Sequence, residues 1–297
     1  MIDKLELFIT LAKEQHFGRA AEACGITQPT LSAALRQLEN TLGVLLVQRG
    51  SRFLGLTPEG ERVLEWSRRI VGDSRAMRQD IHAMRHGLAG HMRLAVIPTA
   101  LAMVPSVTTP YRERHPNVRF SILSRTSIEV LHMLENLEID AGLTYLDNEP
   151  LGRVRSIPLY RERYVLVTSR SSPLGDRDKV TWAEVSEIPL CLLTPDMQNR
   201  RIIDKLLSRS GTPPAPMLES NSMIVLFAHV RTGSWASIMP EVLAMTLGLT
   251  ETLRSIPITE PDELHTIGLV VANREPTTPL VAALVSEARQ VAGKLSA

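Results

Sequence analysis

The sequence predicts an α/β protein in which a helical N-terminal segment precedes a longer region of alternating strands and helices. Three observations support this prediction. Apolar residues recur at helical spacing through much of the first 85 residues, glycine-containing stretches interrupt the chain near residues 43–55 and 87–90, and short apolar runs alternate with amphipathic segments beyond them. The 297 residues suffice for two or three compact units.

Composition and charge limit the class of protein. Apolar residues make up 44% of the chain and charged residues 22%, as in an ordinary globular protein. The net charge of +1 is unevenly distributed, because residues 1–93 contain 13 basic and 10 acidic residues, a mildly basic balance compatible with nucleic acid. The only two cysteines, Cys24 and Cys191, exclude a disulfide framework and a four-thiolate metal site.

The N-terminus shows no targeting pattern. Asp3, Lys4 and Glu6 interrupt the first apolar residues, which argues against a signal peptide. No uncharged apolar run reaches the roughly 18–20 residues that a membrane-spanning helix needs. We therefore expect a soluble, cytoplasmic protein with no membrane partner, and no motif indicates a cofactor or a metal.

Three helices are predicted before residue 43. The first follows from the apolar spacing of Leu5, Phe8, Ile9 and Ala12. A short Ala-rich helix over 19–24 comes after Gly18. The third helix extends to about Leu42, because Thr27 can cap it and Pro29 suits its first turn.

Two short helices joined by a tight glycine-containing turn are the components of a helix-turn-helix. The second of these helices would bury three leucines and expose Gln28, Thr30, Ser32 and Arg36. Glutamine can pair with adenine and arginine with guanine, while serine and threonine reach bases or phosphates. Arg49 and Arg52, in a predicted hairpin, would add sequence-independent affinity for the DNA backbone. An ordinary helical subdomain with solvated polar residues stays open as the alternative at this point.

A long helix is predicted from Thr57-Pro58-Glu59 to about Arg85, since this start combines a cap, a first-turn proline and early negative charge. Apolar residues repeat every seven positions at Val63, Ile70, Met77 and Met84. Asp73 and Asp80 interrupt the repeat, so the helix has a partial pairing face and is not a long coiled coil.

The region beyond residue 90 alternates strands and helices. Strands are expected over 94–97, 118–123, 140–144, 164–168 and 190–193. Helices are expected from Pro98 past Val104 and over 128–136. This alternation favours parallel sheets with helices on both faces.

Several N-terminal motifs, dense over about residues 3–66, point to one family. They are Phe17-Gly18-Arg19-Ala20-Ala21, Gln28-Pro29-Thr30-Leu31-Ser32, Leu38-Glu39, Leu42-Gly43-Val44, Leu46-Val47, Arg49 and Leu56-Thr57-Pro58-Glu59-Gly60. This set resembles the DNA-binding segment of LysR-type transcriptional regulators, whose domain order accounts for the whole chain. The run from Ile97 through Tyr145 also resembles regulators found beside formate dehydrogenase operons. His16, usually serine or another variable residue in the motif, is expected to end a helix and not to bind a metal.

The resemblance implies a winged helix-turn-helix over residues 1–58, a linker and dimerisation helix with a hinge over 59–90, and a two-lobed periplasmic-binding-protein-like α/β effector domain over 91–297. Lobe I would comprise about 91–162 and 266–297, and lobe II about 163–265. The DNA-facing role falls on Gln28, Pro29, Thr30, Ser32 and Arg36, with Arg49 and Thr57 near the wing and the DNA backbone.

The resemblance also implies a ligand between the two lobes, at helix N-termini and strand ends. Unpaired N–H groups at helix N-termini attract anions. The effector-binding candidates are Pro98, Thr99, Ala100, Thr126, Ser127 and Thr144 from lobe I, and Met197, Gln198 and Asn221 from lobe II. Because the domain has few aromatic residues, a small anion is expected; Arg200 and Arg201 could neutralise it, although such exposed arginines more often contact solvent.

The expected function is effector-dependent activation or repression of transcription. A dimer or tetramer would bind a pseudopalindromic operator in double-stranded DNA and act on RNA polymerase. Two alternatives stay open. An enzyme on the same fold lacks support because the sequence has no phosphate-binding glycine loop, metal-ligand cluster or G-x-S-x-G motif. A thiol redox sensor would have to use Cys24 or Cys191, both of which are expected to be small buried residues.

Overall fold

The computed structural model describes residues 1–48, 53–211 and 215–295, and it divides into two compact units. The first unit consists of Met1–Leu88, Glu135–Glu138 and Arg274–Pro279. The second unit consists of Ala89–Leu134, Ile139–Asn273 and Leu280–Ala297.

Four helices build the described part of the first unit. They are α1 (Ile2–Glu14), α2 (Phe17–Ala23), α3 (Gln28–Leu42) and α4 (Pro58–His86). Phe8 and Leu11 of α1 pack in one core with Leu31 and Leu38 of α3, and all four are almost fully buried. The predicted helices are therefore confirmed, with α2 beginning two residues earlier than expected.

Side-chain caps determine where three of these helices begin. His16 Nδ1 accepts hydrogen bonds from the N–H groups of Gly18 (3.1 Å) and Arg19 (3.2 Å) at the start of α2. Thr27 Oγ1 accepts from the N–H of Thr30 (3.4 Å) on α3. The two threonine caps predicted from the sequence are confirmed, because Thr57 Oγ1 likewise accepts from a first-turn N–H of α4.

A short antiparallel bridge between Val47 and Leu56 lies between α3 and α4, where the hairpin was predicted. Glu39 of α3 secures the segment that leads into this bridge. The buried Glu39 side chain accepts the N–H of Leu46 on Oε1 at 2.8 Å. Residues 49–52, which include the candidate residues Arg49 and Arg52, lie outside the described residues.

Eleven strands follow residue 89 in the described part of the chain. They are β1 (Gly90–Val96), β2 (Val118–Ser124), β3 (Ala141–Tyr145), β4 (Val154–Glu162), β5 (Tyr164–Ser169), β6 (Val180–Thr181), β7 (Cys191–Leu193), β8 (Leu218–Ser220), β9 (Ser237–Pro240), β10 (Leu253–Thr259) and β11 (His265–Ala272). The helices of this region are a 3₁₀ helix (Pro98–Met103), α5 (Val104–Arg114), α6 (Ser127–Glu135), α7 (Trp182–Ser186), α8 (Gln198–Arg209), α9 (Met223–Val230), α10 (Glu241–Leu247) and α11 (Pro279–Leu295).

The strands form two main sheets, which are the cores of two lobes. The first has the order β2-β1-β3-β11-β4 and the second β6-β10-β5-β9, while β7 and β8 form a separate parallel pair. The chain passes between the main sheets twice, from β4 to β5 and from β10 to β11. The two-lobed α/β architecture implied by the resemblance is thus confirmed.

The expectation of parallel sheets is only partly correct. β1 runs parallel to β2 and β3, but β11 is antiparallel to both β3 and β4, and β5 is antiparallel to β9 and β10. The mixed pattern arises because β11 returns from the second sheet and enters the first in the opposite direction. The sequence did not predict six of the eleven described strands, namely β4, β6, β8, β9, β10 and β11. In β4 and β10 a proline, Pro158 or Pro257, weakens the strand signal.

Candidate functional site

The first candidate surface is the N-terminal half of α3. Gln28, Pro29, Thr30 and Arg36 are exposed and Ser32 is half-buried. On the opposite face, Leu31, Leu35 and Leu38 pack into the core of the first unit. A helix anchored by its buried leucines therefore presents an amide, hydroxyls and a guanidinium to solvent, the groups that hydrogen-bond to base edges and phosphates.

Thr57, also a DNA-binding candidate, is committed to local structure. Its hydroxyl donates to the carbonyl oxygen of Leu45 at 2.6 Å, and its oxygen accepts the N–H of Gly60 at 2.9 Å. Its structural role is thus to join the start of α4 to the segment before the bridge.

The second candidate site is a shallow recess between the two lobes of the second unit, with about 190 Å³ of space when its open mouth is included. Its described lining consists of Ile97, Pro98, Thr99, Ser127, Tyr145, Leu193, Met197, Gln198 and Asn199. Three helices begin at this recess, the 3₁₀ helix at Pro98, α6 at Ser127 and α8 at Gln198. The site lies at the carboxyl ends of parallel strands, where ligands of α/β proteins bind.

The structure brings together five of the nine effector-binding candidates. Those in the lining are Pro98, Thr99, Ser127, Met197 and Gln198. The other four lie elsewhere: Ala100 is buried in the 3₁₀ helix, Thr126 caps α6, Thr144 is buried in β3, and Asn221 is exposed before α9.

A buried polar cluster lies directly behind the recess. The hydroxyl of Tyr145 donates to Glu162 Oε1 at 2.6 Å, and it lies 2.9 Å from the hydroxyl of Tyr164. Asn199 Nδ2 donates to the Tyr145 oxygen at 3.5 Å, and Thr99 Oγ1 lies at the same distance from it. All five residues are buried, so the cluster links the recess wall to the β4–β5 connection.

Burial dominates the electrostatics of this cluster. It raises the pKa of Glu162 to about 8, although hydrogen bonds from Tyr145 and Tyr160 act in the opposite direction. Burial also lowers the pKa of His265, whose ring meets that of Tyr145 edge-on at 6.3 Å. The neutral forms of Glu162 and His265 are therefore favoured at neutral pH.

Sequence reasoning missed Asn199, Glu162 and His265. Tyr160, Glu162 and Tyr164 alternate with Arg161 and Arg163, a two-residue period that predicts a carboxyl and two phenols on one side of the extended chain where β4 ends and β5 begins. That period could have identified the Glu162 cluster. Asn199 carries no comparable local signal.

The two arginines near the recess are already paired with carboxylates. Arg200 contacts Asp204 at 2.6 Å and Glu219 at 2.5 Å. Arg201 forms a two-pronged pair with Glu149, at 2.7 and 2.9 Å, and its Nη2 reaches Ser127 Oγ at 3.4 Å.

The two cysteines occupy different environments. Cys191 is fully buried in β7, and burial raises the pKa of its thiol to about 11. Cys24 is half-buried at the end of α2 in the first unit. With its raised pKa, the Cys191 thiol is almost entirely protonated at neutral pH and is a weak nucleophile.

Helix α4 exposes an apolar stripe. Its members are Trp66, Ile70, Met77, Ile81 and Met84, of which Met84 is 88% exposed. Three of them keep the seven-residue repeat predicted from the sequence. Across the described residues, no helix is both long and apolar enough to cross a membrane.

Two protein-family models match the chain. The model of the bacterial regulatory helix-turn-helix proteins of the lysR family matches residues 2–61. The model of the LysR substrate binding domain matches residues 85–293. Between them they cover both candidate sites.

Individual relatives agree with these matches. The "Probable hydrogen peroxide-inducible genes activator" of Mycobacterium xenopi is 35% identical over 177 residues, which cover 59% of this chain and 93% of the relative. A full-length OxyR variant from Pseudomonas aeruginosa has a TM-score of 0.75 at 24% identity, covering 97% of this chain and 94% of that one. Full-length CbnR, solved with its target DNA, has a TM-score of 0.61 at 20% identity, covering 98% and 99%. The two solved structures share the fold.

Proposed function

The chain belongs to the LysR family of DNA-binding transcriptional regulators, and from that premise we propose how its two candidate sites divide the work. α3 binds a pseudopalindromic operator in the major groove of double-stranded DNA. A small effector binds in the recess of the second unit and changes the effect of the bound protein on RNA polymerase. The site of action is the cytoplasm, where the DNA partner lies.

One observation supports the DNA-reading proposal most directly, namely the two faces of α3. Its leucines hold it in the core, so its polar face is rigid before DNA arrives and little entropy is lost on binding. Gln28 and Arg36, both exposed, offer two-pronged pairing to adenine and guanine. Thr30 and Ser32 supply hydroxyls for phosphates and bases.

Replacing Arg36 with alanine tests this proposal. We expect operator binding to weaken by roughly 1–3 kcal/mol, measured by gel shift against an operator selected from genomic DNA. Arg119→Ala is the matched control, because Arg119 is also exposed and lies on β2 in the second unit. Equal affinity of the wild type and Arg36→Ala would remove Arg36 from the site.

The effector proposal is supported by the placement of the recess. It lies between two lobes joined by two strand connections, so a ligand that contacts both lobes favours the closed arrangement. The residues proposed to bind the effector are Thr99, Ser127, Met197 and Gln198, with Pro98 in the wall. Ala100, Thr126, Thr144 and Asn221 stay predictions, as do the anionic effector and the resemblance to formate dehydrogenase-associated regulators.

The self-association proposal is supported by the stripe on α4. Apolar side chains at seven-residue spacing are buried when two helices pair. Dimers, or tetramers formed from two dimers, would place recognition helices on successive half-sites of the operator.

The two alternatives fare differently. The relatives are transcriptional regulators, so the chain is not an enzyme. The relative from M. xenopi is one of several whose names describe an activator of hydrogen peroxide-inducible genes. We propose an effector-binding mechanism and not a thiol-based one, because Cys191 is buried with a raised thiol pKa and Cys24 lies in the DNA-binding unit.

A further inference from the structure

We infer that the recess takes a small uncharged molecule that offers both a hydrogen-bond donor and an acceptor, such as a primary amide, in preference to a carboxylate. The inference rests on the proposed function only because it concerns the same recess. It departs from the anion expected from the sequence, and its grounds are the polar atoms, the charges and the size of the recess.

The first ground is an unpaired acceptor in the recess wall. Asn199 is only 3% exposed and lines the recess. Its Nδ2 donates to the Tyr145 oxygen, but its Oδ1 accepts no hydrogen bond from the described residues. Buried amide oxygens in folded proteins are nearly always paired. A ligand with an N–H or O–H group can pair with this oxygen, whereas a carboxylate has no hydrogen to give.

The second ground is the direction of the hydroxyl protons. Tyr145 has a single proton, and Glu162 Oε1 accepts it at 2.6 Å. Oε1 can accept the Tyr145 proton in both forms of Glu162, because the proton of the neutral acid can occupy Oε2. Oε2 lies 3.4 Å from the hydroxyl of Tyr160. Tyr145 therefore has no proton to donate to Thr99, and the Thr99 oxygen keeps its lone pairs for a ligand. The two lone pairs of the Tyr145 oxygen face three possible donors, namely the Tyr164 hydroxyl at 2.9 Å, Asn199 Nδ2 at 3.5 Å and the Thr99 hydroxyl at 3.5 Å.

The third ground is charge. None of the described lining residues is ionisable apart from the Tyr145 phenol, whose pKa burial raises further. Arg200 and Arg201, the cations nearest in sequence, are each held by carboxylates. The Glu162 carboxyl lies directly behind Tyr145. Arg201, whose Nη2 reaches Ser127 Oγ at 3.4 Å, is paired with Glu149, so an anion entering the recess would leave water and meet only a cation that a carboxylate already neutralises.

The donor side of the recess is the start of α8. This helix has 12 residues, and its N-cap residue, Met197, provides no side-chain hydrogen bond to its first turn. The start of α6 differs, because Thr126 and Glu129 cap each other there. The first-turn N–H groups of α8 can thus bind a carbonyl or hydroxyl oxygen. An anion would suit this side equally well, so the acceptor side decides the ligand class.

The recess is also small. Its enclosed space is about 10 Å³, room for about one water-sized group, and about 190 Å³ is reached only when the open mouth is included. The ligand is therefore a molecule of a few heavy atoms that places one polar group at Asn199 and Thr99 and the rest in the mouth, beside the start of α8.

Acetamide and acetate provide the test, because they have nearly the same shape and differ in charge and in the N–H donor. Binding to the full-length chain is measured for each by saturation-transfer NMR titration. We expect acetamide to bind at least about tenfold more tightly. Equal binding, tighter acetate binding, or no binding of either probe, as when an ordered water alone fills the recess, would overturn the inference.

Two substitutions locate the binding. Asn199→Leu removes the unpaired oxygen, and Thr99→Val removes the hydroxyl at nearly constant volume. We expect each to weaken acetamide binding about tenfold, while Asn117→Leu, at an exposed asparagine outside the recess, leaves it unchanged. If one variant does not fold, the other still decides; unchanged acetamide binding in a folded variant would contradict the inference.

Gel shifts on the same preparations separate the two proposals, since the DNA-reading proposal fails only if operator binding is absent.

Discussion

At the scale of single residues, the position of Glu162 follows from strand geometry and its chemistry from burial. The two-residue period of β4 and β5 turns Glu162 inward between tyrosines, where it is 2% exposed. A carboxyl in such a place is stabilised as the neutral acid, because burial penalises the charged form. The sequence pattern could predict the face but not the partner, since Tyr145 comes from a different strand.

Glu162→Gln should change how stability depends on pH. The folded-state pKa of about 8 exceeds the unfolded value near 4.5, so the folded protein holds a proton that the unfolded chain loses between these values. The free energy of unfolding should therefore fall with rising pH across this window, by at most about 1.4 kcal/mol per pH unit. Glu162→Gln should abolish this contribution in urea titrations between pH 5 and 8.

Glu113→Gln, at an exposed glutamate on α5, serves as the control and should reproduce the wild-type pH dependence. An unchanged slope in Glu162→Gln would show that the Glu162 carboxyl is ionised in the folded protein.

The cysteine environments lead to a second prediction at this scale. In Cys24→Ser, where Cys191 is the sole thiol, alkylation by iodoacetamide at pH 8 should be far slower in the folded protein than in urea, because Cys191 is buried and protonated. The rate is followed by intact-mass spectrometry, with Cys191→Ser as the matched variant. Fast alkylation of folded Cys24→Ser would restore the thiol-sensing alternative.

At the scale of elements, the sequence was most informative where a local motif determines the structure. The caps at Thr27 and Thr57 and the apolar spacing of α1 depend on neighbours in sequence, so they could be predicted from the chain alone. β4 and β10 could not, because pairing with β11 and β5 outweighs the effect of the proline in each.

The stripe on α4 is expected to control self-association. Met77→Glu should shift the protein toward the monomer in size-exclusion chromatography with light scattering, since a carboxylate in a helix-pairing face is costly to bury. His82→Glu, at an exposed residue off the stripe, adds the same charge and should leave the mass unchanged. An unaltered oligomer in Met77→Glu would place the self-association surface elsewhere.

At the scale of the whole molecule, the two units differ in how much the sequence revealed. The DNA-reading unit is a compact set of local motifs, so α3 and its exposed side chains followed from spacing and capping. The recess draws on residues from Ile97 to Asn199, which are brought together only by the folding of both lobes. The sequence consequently predicted five of its lining residues but not Asn199, whose Oδ1 has no partner among the described residues and determines the proposed ligand class.

The reading of operator DNA by α3 can be tested on the whole protein. The most direct measurement incubates the full-length chain with fragmented genomic DNA, captures the bound fragments and sequences them, with Arg36→Ala in parallel. We predict a limited set of enriched sites that share a pseudopalindrome with half-sites about one helical turn apart, or a multiple of it, and weaker enrichment with Arg36→Ala. Uniform recovery of fragments without a shared motif would contradict the claim.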